Sequence, residues 1–410
     1  MKILFLCQTV PYPPKSGVLQ RIYYLLRELS RDNEVHLIAL VHRDILTDDK
    51  KIEEARNHLK QFCKSVKLCM LEPKQSRINF IRTLVRSVFS FSPFSVFAFK
   101  SKCFQGHVKT ILQENVFDLI HVDTIALAQY VPENYSVPKV VTHHNVESEV
   151  LFRRAKTTRN IFHKGYLNRD AKKLLNYEKE HLKIFACNFA CSETDKEKLQ
   201  SIDNSIRVEV IPNGTDTSYF VPNPNRERNN VIAHIGGLVS ANLDAVMFFL
   251  TEIWPIIKRE KSDIHLNLVG RNPPGMIMDI ARTDKNITIT GFVEDVRPYM
   301  EEASLIIVPL RFGGGTKLKV LDSLAMQKAV VSTSVGIEGI DVSPGKNILV
   351  ADSPKKFADS VIYLLNNPNI RKDIGKMGRK LIEEKYDWTR IGKKQRELYL
   401  DIVSRRRVIV

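Results

Sequence analysis

Short, uniformly apolar runs alternate with helical patterns along nearly the whole chain, and this alternation restricts the fold more than any other feature. "KILFLC" (2–7) reads as a buried strand. "GVLQRIYYLLRELSR" (17–31) follows, with Val18, Ile22, Leu25, Leu26 and Leu29 on one helical face. "EVHLIALV" (34–41) is the next strand, and "VKLCML", "FDLIHVD", "KVVTHHN", "NFACSE" and "VEVIPNG" are further ones, with helical stretches between most of them. Runs apolar on both faces and separated by helices are what a parallel sheet covered on both sides requires. "NGTDTSYFVPNPNRERNN" (213–230), with two prolines, five asparagines and little periodicity, has the composition of a linker. After it the alternation restarts with "VIAHIG" (231–236), "IHLNLVG" (264–270), "NITITGF" (286–292), "SLIIVPL" (304–310) and "AVVSTS" (329–334). Two doubly wound α/β domains joined near residue 220 are the simplest account. Ligands of such sheets lie at the carboxyl ends of the strands, so two sheets facing each other would hold a site in the cleft between them.

Composition narrows the function classes. At 410 residues the chain is too long for one ordinary core. The stretch "MKILFLCQTVPYPP" is too short for a signal peptide and is cut by Pro11. No window reaches the roughly eighteen apolar residues that span a bilayer, so a transmembrane chain is not expected. The six cysteines (7, 63, 69, 103, 187, 191) show no C-x-x-C pair and no zinc spacing, which suggests reduced, mostly buried thiols in a cytoplasmic protein.

A net charge of +16 calls for an acidic partner: nucleic acid, anionic membrane or phosphorylated substrate. Residues 51–110 carry twelve Lys/Arg against three Asp/Glu, an excess of nine. The same stretch holds "VFSFSPFSVFAF" (88–99), with Phe89, Phe91, Phe94, Phe97 and Phe99. Basic residues beside phenylalanines fit peripheral binding to the cytoplasmic face of an anionic membrane. Two ordinary helices with solvated faces are the plainer reading.

The segment "RFGGGTKLKVLDSLAMQKAVVST" (311–333) carries the chemistry. "SLIIVPL" ends at Leu310 and a helix is expected from about Thr316, so Arg311–Gly315 is the turn at the carboxyl end of a central strand. Backbone N–H groups and the positive end of the helix dipole converge there, and glycines let an anion approach closely. Gly313, Gly314 and Gly315 supply the bare backbone, Thr316 a cap, and Arg311, Lys317 and Lys319 the charge. Thr316, Lys319 and Asp322 are spaced three apart as a polar stripe, opposite Leu318, Leu321 and Ala325. At about 1.5 Å per residue, Asp322 lies roughly 9 Å up the helix, about the distance from a diphosphate to its ribose. The stretch is suited to a nucleoside diphosphate.

"VPLRFGGGTKLKVLDSLAMQKAVVSTSVGIEGI" resembles the donor-site segment of glycosyltransferase family 4, the retaining nucleotide-sugar transferases of GT-B fold. "PYPPKSGVLQRIYYLLREL", "THHNVESEVLFRR", "VIPNGTDTSYFVP", "GFVEDVRPYMEEASLIIVPL" and "YDWTRIGKKQRELYLDIV" match further family segments in order. The resemblance implies two Rossmann-like domains facing each other across a cleft: an acceptor-side domain over 1–215, with a C-terminal helix (389–405) packing back on it, and a donor-binding domain over 216–388. It implies that His144 contacts the transferred sugar, that Gly17 and Arg21 meet the acceptor, and that Leu318, Gly236, Gly291 and Phe292 join the donor site. His143 reads as a structural histidine bonded to backbone.

The chain departs from the family pattern in places. The first of two family glutamates is Gly314 and the second is Asp322. An Arg and a Lys after the first strand of the second domain are replaced around Gly237 and Asn242, which leaves phosphate charge to Arg311, Lys317 and Lys319. No D-x-D pair or metal-ligand spacing occurs, so neither cofactor nor metal is expected. The expected function is retaining transfer of a sugar from a nucleoside diphosphate sugar to a lipid-linked or glycan acceptor in cell-surface polysaccharide synthesis. A GT-B epimerase or phosphorylase and a catalytically weak sugar-nucleotide-binding partner are the alternatives. A nucleic-acid partner lacks any supporting motif.

Overall fold

The computed structural model describes residues 1–71, 77–132, 135–158 and 160–407. The chain divides into two compact units, Met1–Pro212 with Ile391–Val410, and Asn213–Arg390.

The first unit is built on a seven-stranded parallel sheet: β1 (Lys2–Cys7), β2 (Glu34–Val41), β3 (Ser65–Met70), β4 (Leu119–Val122), β5 (Lys139–Thr142), β6 (Cys187–Ala190) and β7 (Val208–Val210). Their order is β3-β2-β1-β4-β5-β6-β7. The second unit carries six parallel strands: β8 (Val231–Ile235), β9 (His265–Val269), β10 (Ile287–Gly291), β11 (Leu305–Val308), β12 (Ala329–Ser332) and β13 (Leu349–Val350), in the order β10-β9-β8-β11-β12-β13. In both sheets strand order reverses once, between β1 and β4 and between β8 and β11. Two turns diverge from each such point, and the crevice they leave is where open α/β sheets bind ligands.

The apolar runs explain the layering. Ile232, Leu305, Ile307, Ala329 and Val331 belong to one buried cluster, whereas Ala233, Ile306, Val308 and Val330 belong to another. Successive residues of one strand therefore feed opposite faces, both closed by helices, and no solvent face remains to favour a polar residue. The continuous helical stretch Ser240–Glu260 is long and apolar enough to cross a membrane by length and composition alone. Its Phe249, Leu250, Ile253, Trp254 and Ile257 pack in the second unit's core, where a core helix needs such residues.

Two stretches bind more closely than their composition suggests. The expected linker is fastened to the second unit: Thr215 N donates to Tyr386 O (2.8 Å), Thr217 Oγ1 to Asp387 Oδ2 (2.5 Å), and Arg379 Nη1 to Phe220 O (2.6 Å). The helix Trp388–Arg407 belongs to the first unit from Ile391 onward. There Arg396 Nη1 donates to Glu28 O (2.8 Å), Tyr399 OH pairs with His121 Nδ1, and Gly392 packs so tightly that a Cβ would lie 2.3 Å from Glu28 Cβ.

Candidate functional site

The turns leaving β8 and β11 converge on one ammonium group. Lys319, on the helix Leu318–Ala325, donates to Asn242 Oδ1 (2.7 Å), and its Nζ lies 3.5 Å from His234 Nε2. His234 Nδ1 faces the carbonyl of Ile307 (3.3 Å), so it carries the proton and leaves Nε2 as a lone pair toward the lysine. Burial holds His234 neutral by pushing it well below its ordinary value, with Lys319 adding to the effect. Among the described residues no carboxylate pairs with Lys319. Burial first, and then Lys317, brings it down to about 7. Gly236 makes the approach possible: it sits at φ +141°, and a Cβ there would lie 2.7 Å from Lys319 Nζ. A half-buried lysine with neutral partners and bare backbone beside it has the makings of a place for an anion.

The glycine turn surrounds this centre, with differences from expectation. Gly313 (φ +142°) and Gly315 (φ +67°) occupy conformations that side chains disfavour. Lys317 Nζ curls back to Gly314 O (3.2 Å) and Gly315 O (2.5 Å). The helix starts at Leu318 rather than near Thr316, so Thr316 caps nothing and stands outside the expected stripe. Its Oγ1 is buried and has no hydrogen-bond partner among the described residues. Leu318 packs against the core. Arg311, expected to supply phosphate charge, is engaged elsewhere. Its Nε and Nη2 donate to Asp244 (2.9 and 2.5 Å) and its guanidinium lies 4.8 Å from the Phe248 ring centroid. Asp322 accepts from Thr215 Oγ1 (2.7 Å), and burial pushes its carboxyl up to about 7. Gly291 (φ +69°) ends β10 and the exposed Phe292 follows it, two strands from β8 along the same carboxyl edge.

In the first unit, β4 and β5 place a second pair. His144 Nε2 lies 3.0 Å from Asp123 Oδ1, just past the carboxyl ends of the two strands. The neighbouring Glu147 accepts from Thr124 Oγ1 (2.7 Å), and burial raises its carboxyl. His143 turns inward, with Nε2 3.1 Å from Asn188 Oδ1, and burial lowers it to about 4. It is structural, although its ring meets a side chain rather than backbone. Gly17 begins the helix Gly17–Leu29 on the surface, behind a Ser16 that makes no side-chain cap. Arg21 does not await an acceptor phosphate: it is 1% exposed, and Nη1 and Nη2 donate to Pro212 O (2.9 Å) and Ile211 O (2.7 Å).

The profile described as Glycosyltransferase Family 4 matches residues 15–219, half of the chain, and the one described as Glycosyl transferases group 1 matches residues 229–367. The chain belongs to glycosyltransferase family 4. It is a glycosyltransferase of GT-B fold. The transferase is 23% identical over 403 residues to an uncharacterized 44.6 kDa protein in the cps region of Klebsiella pneumoniae, covering 94% of this chain and 96% of that one. Among solved structures it resembles sucrose-phosphate synthase from Thermosynechococcus elongatus (TM-score 0.72, 15% identity, 98% and 100% of the two chains). It also resembles HepE from Anabaena in complex with UDP (TM-score 0.68, 14% identity, 98% and 100%).

The sequence of the transferase does not show the partners that define these centres. Asn242 counts as a departure from the family pattern, yet it holds Lys319. His234 lies inside a strand and belongs to no motif. Arg271, on the turn after β9, lies beside Gly237, where a Cβ would be 3.4 Å from its Cγ. Asp123 ends "FDLIHVD", and a carboxylate at the close of a buried strand is the signal that could have found it. Ser240 adopts φ +48°, a strained conformation beside the same turn. The fold also gathers Cys69, Cys103 and His107, which are spread over 39 positions of sequence, and Cys103 is exposed.

Proposed function

We propose that the protein is a retaining glycosyltransferase that takes a sugar from a nucleoside diphosphate sugar. The half-buried Lys319 amine, with neutral partners and glycine backbone around it, carries this reading. A diphosphate would supply the counter-charge that Lys319 lacks, the glycine turn would admit it, and the Thr316 hydroxyl would gain a partner. Arg271 and Lys317 are the further cations at hand. Asp322, ionised, would accept from the ribose hydroxyls in place of Thr215. His144, oriented by Asp123, would stabilise charge developing on the transferred sugar. Leaving-group charge would be met by lysines and the helix dipole, so no metal is invoked there.

The acceptor is proposed to be lipid-linked or a growing cell-surface glycan, with the enzyme peripheral on the cytoplasmic face of a membrane. Supporting this, Phe89 and Phe91 are 86% and 99% exposed, beside an exposed Arg86. Phe94, Phe97 and Phe99 are only half-buried.

A thermal-shift screen of nucleotide sugars tests the donor reading. A ligand at a hundred times its Kd adds about 2.7 kcal/mol, and the shift should vanish in Lys319→Met. The absence of a shift with every nucleoside diphosphate sugar, for a wild type that is folded, would overturn it.

A further inference from the structure

Cys69 lies on β3, the edge strand of the first sheet. Cys103 and His107 lie on the helix Lys102–Glu114, four residues apart and therefore on one of its faces. That helix turns Phe104, Val108 and Ile111 into the core, which leaves residues 103 and 107 along its flank. The two sulfurs and a ring nitrogen of His107 all lie within 4.8 Å of one another. Cys103 Sγ lies 2.6 Å from Cys69 Sγ, longer than a disulfide bond and well inside ordinary sulfur–sulfur contact, so the two groups are held hard against each other. Cys69 is buried, His107 half-buried and Cys103 exposed, which gives one wall in the core and one open to solvent.

We infer that Cys69, Cys103 and His107 form a binding site for a thiophilic cation, with Zn²⁺ the best match. Two thiolates and an imidazole suit zinc, and the solvent side leaves a fourth tetrahedral position for water or an added ligand. Thiolates on one zinc ion at 2.3 Å stand roughly 3.8 Å apart, a separation that rotation of the solvent-facing Cys103 side chain can provide. On binding, each thiol releases its proton to solvent and forms a sulfur–zinc bond. A disulfide would use the two sulfurs and leave His107 without a purpose, which is why the cation is preferred.

The site's position gives it a role. Between Cys69 and Cys103 the chain contains the helices Arg77–Phe89 and Phe94–Ala98, with the exposed Phe89 and Phe91 at the end of the first and just beyond it. A cation bound to β3 and to the helix Lys102–Glu114 would clasp both ends of this excursion. It would also anchor an edge strand that has one hydrogen-bonded neighbour, β2.

The test uses the full chain, reduced and stripped of metal, titrated with Co²⁺ and then with Zn²⁺. One equivalent of Co²⁺ should give thiolate-to-cobalt charge-transfer absorption and the visible bands of a tetrahedral ion, and Zn²⁺ should displace both. Cys103→Ser should cut the charge-transfer band to half or less, because Cys69 is then the one thiolate left in the group. His107→Ala should keep sulfur charge transfer but shift the visible bands and weaken binding. Cys63→Ser, which alters a buried thiol outside the group, should change neither. Zn²⁺ should also raise the melting temperature of the wild type and not of Cys103→Ser. Substoichiometric or absent charge transfer overturns the proposal. So does a count of four free thiols in the untreated, metal-free protein, because Cys69 and Cys103 would then be a disulfide.

Discussion

Lys319 and Asp322 both titrate near pH 7, displaced there from opposite ends of the scale. Lys319 is lowered to about 7 from an ordinary 10.5, so the unfolded chain binds more protons between those values and stability rises with pH across that window. Asp322 is raised to about 7 from 3.8, so stability falls as pH climbs through that lower window. At neutral pH both groups oppose folding, by up to about 1.4 kcal/mol per unit of displacement. In the unliganded protein, Lys319→Met and Asp322→Asn should each raise Tm at pH 7 by a few degrees while weakening nucleotide binding. A lowered Tm with affinity intact would remove both from the donor site. Losing the charge-assisted bond in Asp322→Ala should reduce affinity by about 1.5–3 kcal/mol. At pH 8, binding of a nucleoside diphosphate should take up a proton as Lys319 regains charge. Calorimetry in buffers of different ionisation enthalpy reads this uptake, and Lys319→Met should lack it. His144→Ala should reduce kcat far more than donor affinity, because a group acting on developing charge matters mainly in the transition state. His143→Ala should show mainly as lost stability. The reverse pattern would exchange their roles. Residue types at these positions are legible in the sequence: a lysine and a carboxylate on one helix, and a histidine closing a strand. Their partners are not. Asn242 lies 77 positions from Lys319 and Asp123 lies 21 from His144, and no local pattern encodes such pairings.

Elements are more legible than contacts, because periodicity is local. The runs at β1 and β2 coincide with the observed strands Lys2–Cys7 and Glu34–Val41. "FDLIHVD" and "KVVTHHN" overrun theirs because Phe117, Asp123 and His143, which flank the strands, are buried like the strand residues, and burial rather than hydrogen bonding is what an apolar run reports. β13, two residues long, offers no period to read. The helix expected from Thr316 starts at Leu318 because the glycine turn takes up two more residues. Turn glycines then separate into two kinds. At Gly270 a Cβ would meet Gly236 O at 2.0 Å, a backbone atom that cannot swing aside. At Gly236 the near atom is the mobile end of Lys319. Gly270→Ala should therefore destabilise the fold substantially, by denaturant midpoint. Gly236→Ala should keep most stability, apart from strain at φ +141°, and lose nucleotide affinity by displacing the lysine. Equal losses of stability would show that Lys319 is held rigidly rather than available to a ligand.

Over the whole molecule, the proposed membrane binding rests on charge and exposed aromatics. Each Lys or Arg near an anionic membrane is worth about 1 kcal/mol, and inserted phenylalanines add burial that salt does not screen. Binding to anionic vesicles should therefore weaken but persist at high salt. The double change Phe89→Ser and Phe91→Ser should remove the salt-resistant part, and Arg86→Glu should weaken the rest. Failure of the wild type to co-sediment with anionic vesicles at low salt would favour a soluble acceptor. The helix Trp388–Arg407 has a consequence in time. Residues 391–407 complete the first unit, yet they leave the ribosome only after all of the second. Until then the surface around His121 and Glu28 has no cover, while the second unit is contiguous and can close as soon as it emerges. The first unit to begin synthesis is thus the last to finish, and a nascent chain arrested after Arg390 should carry a protease-resistant second unit attached to a cleavable first.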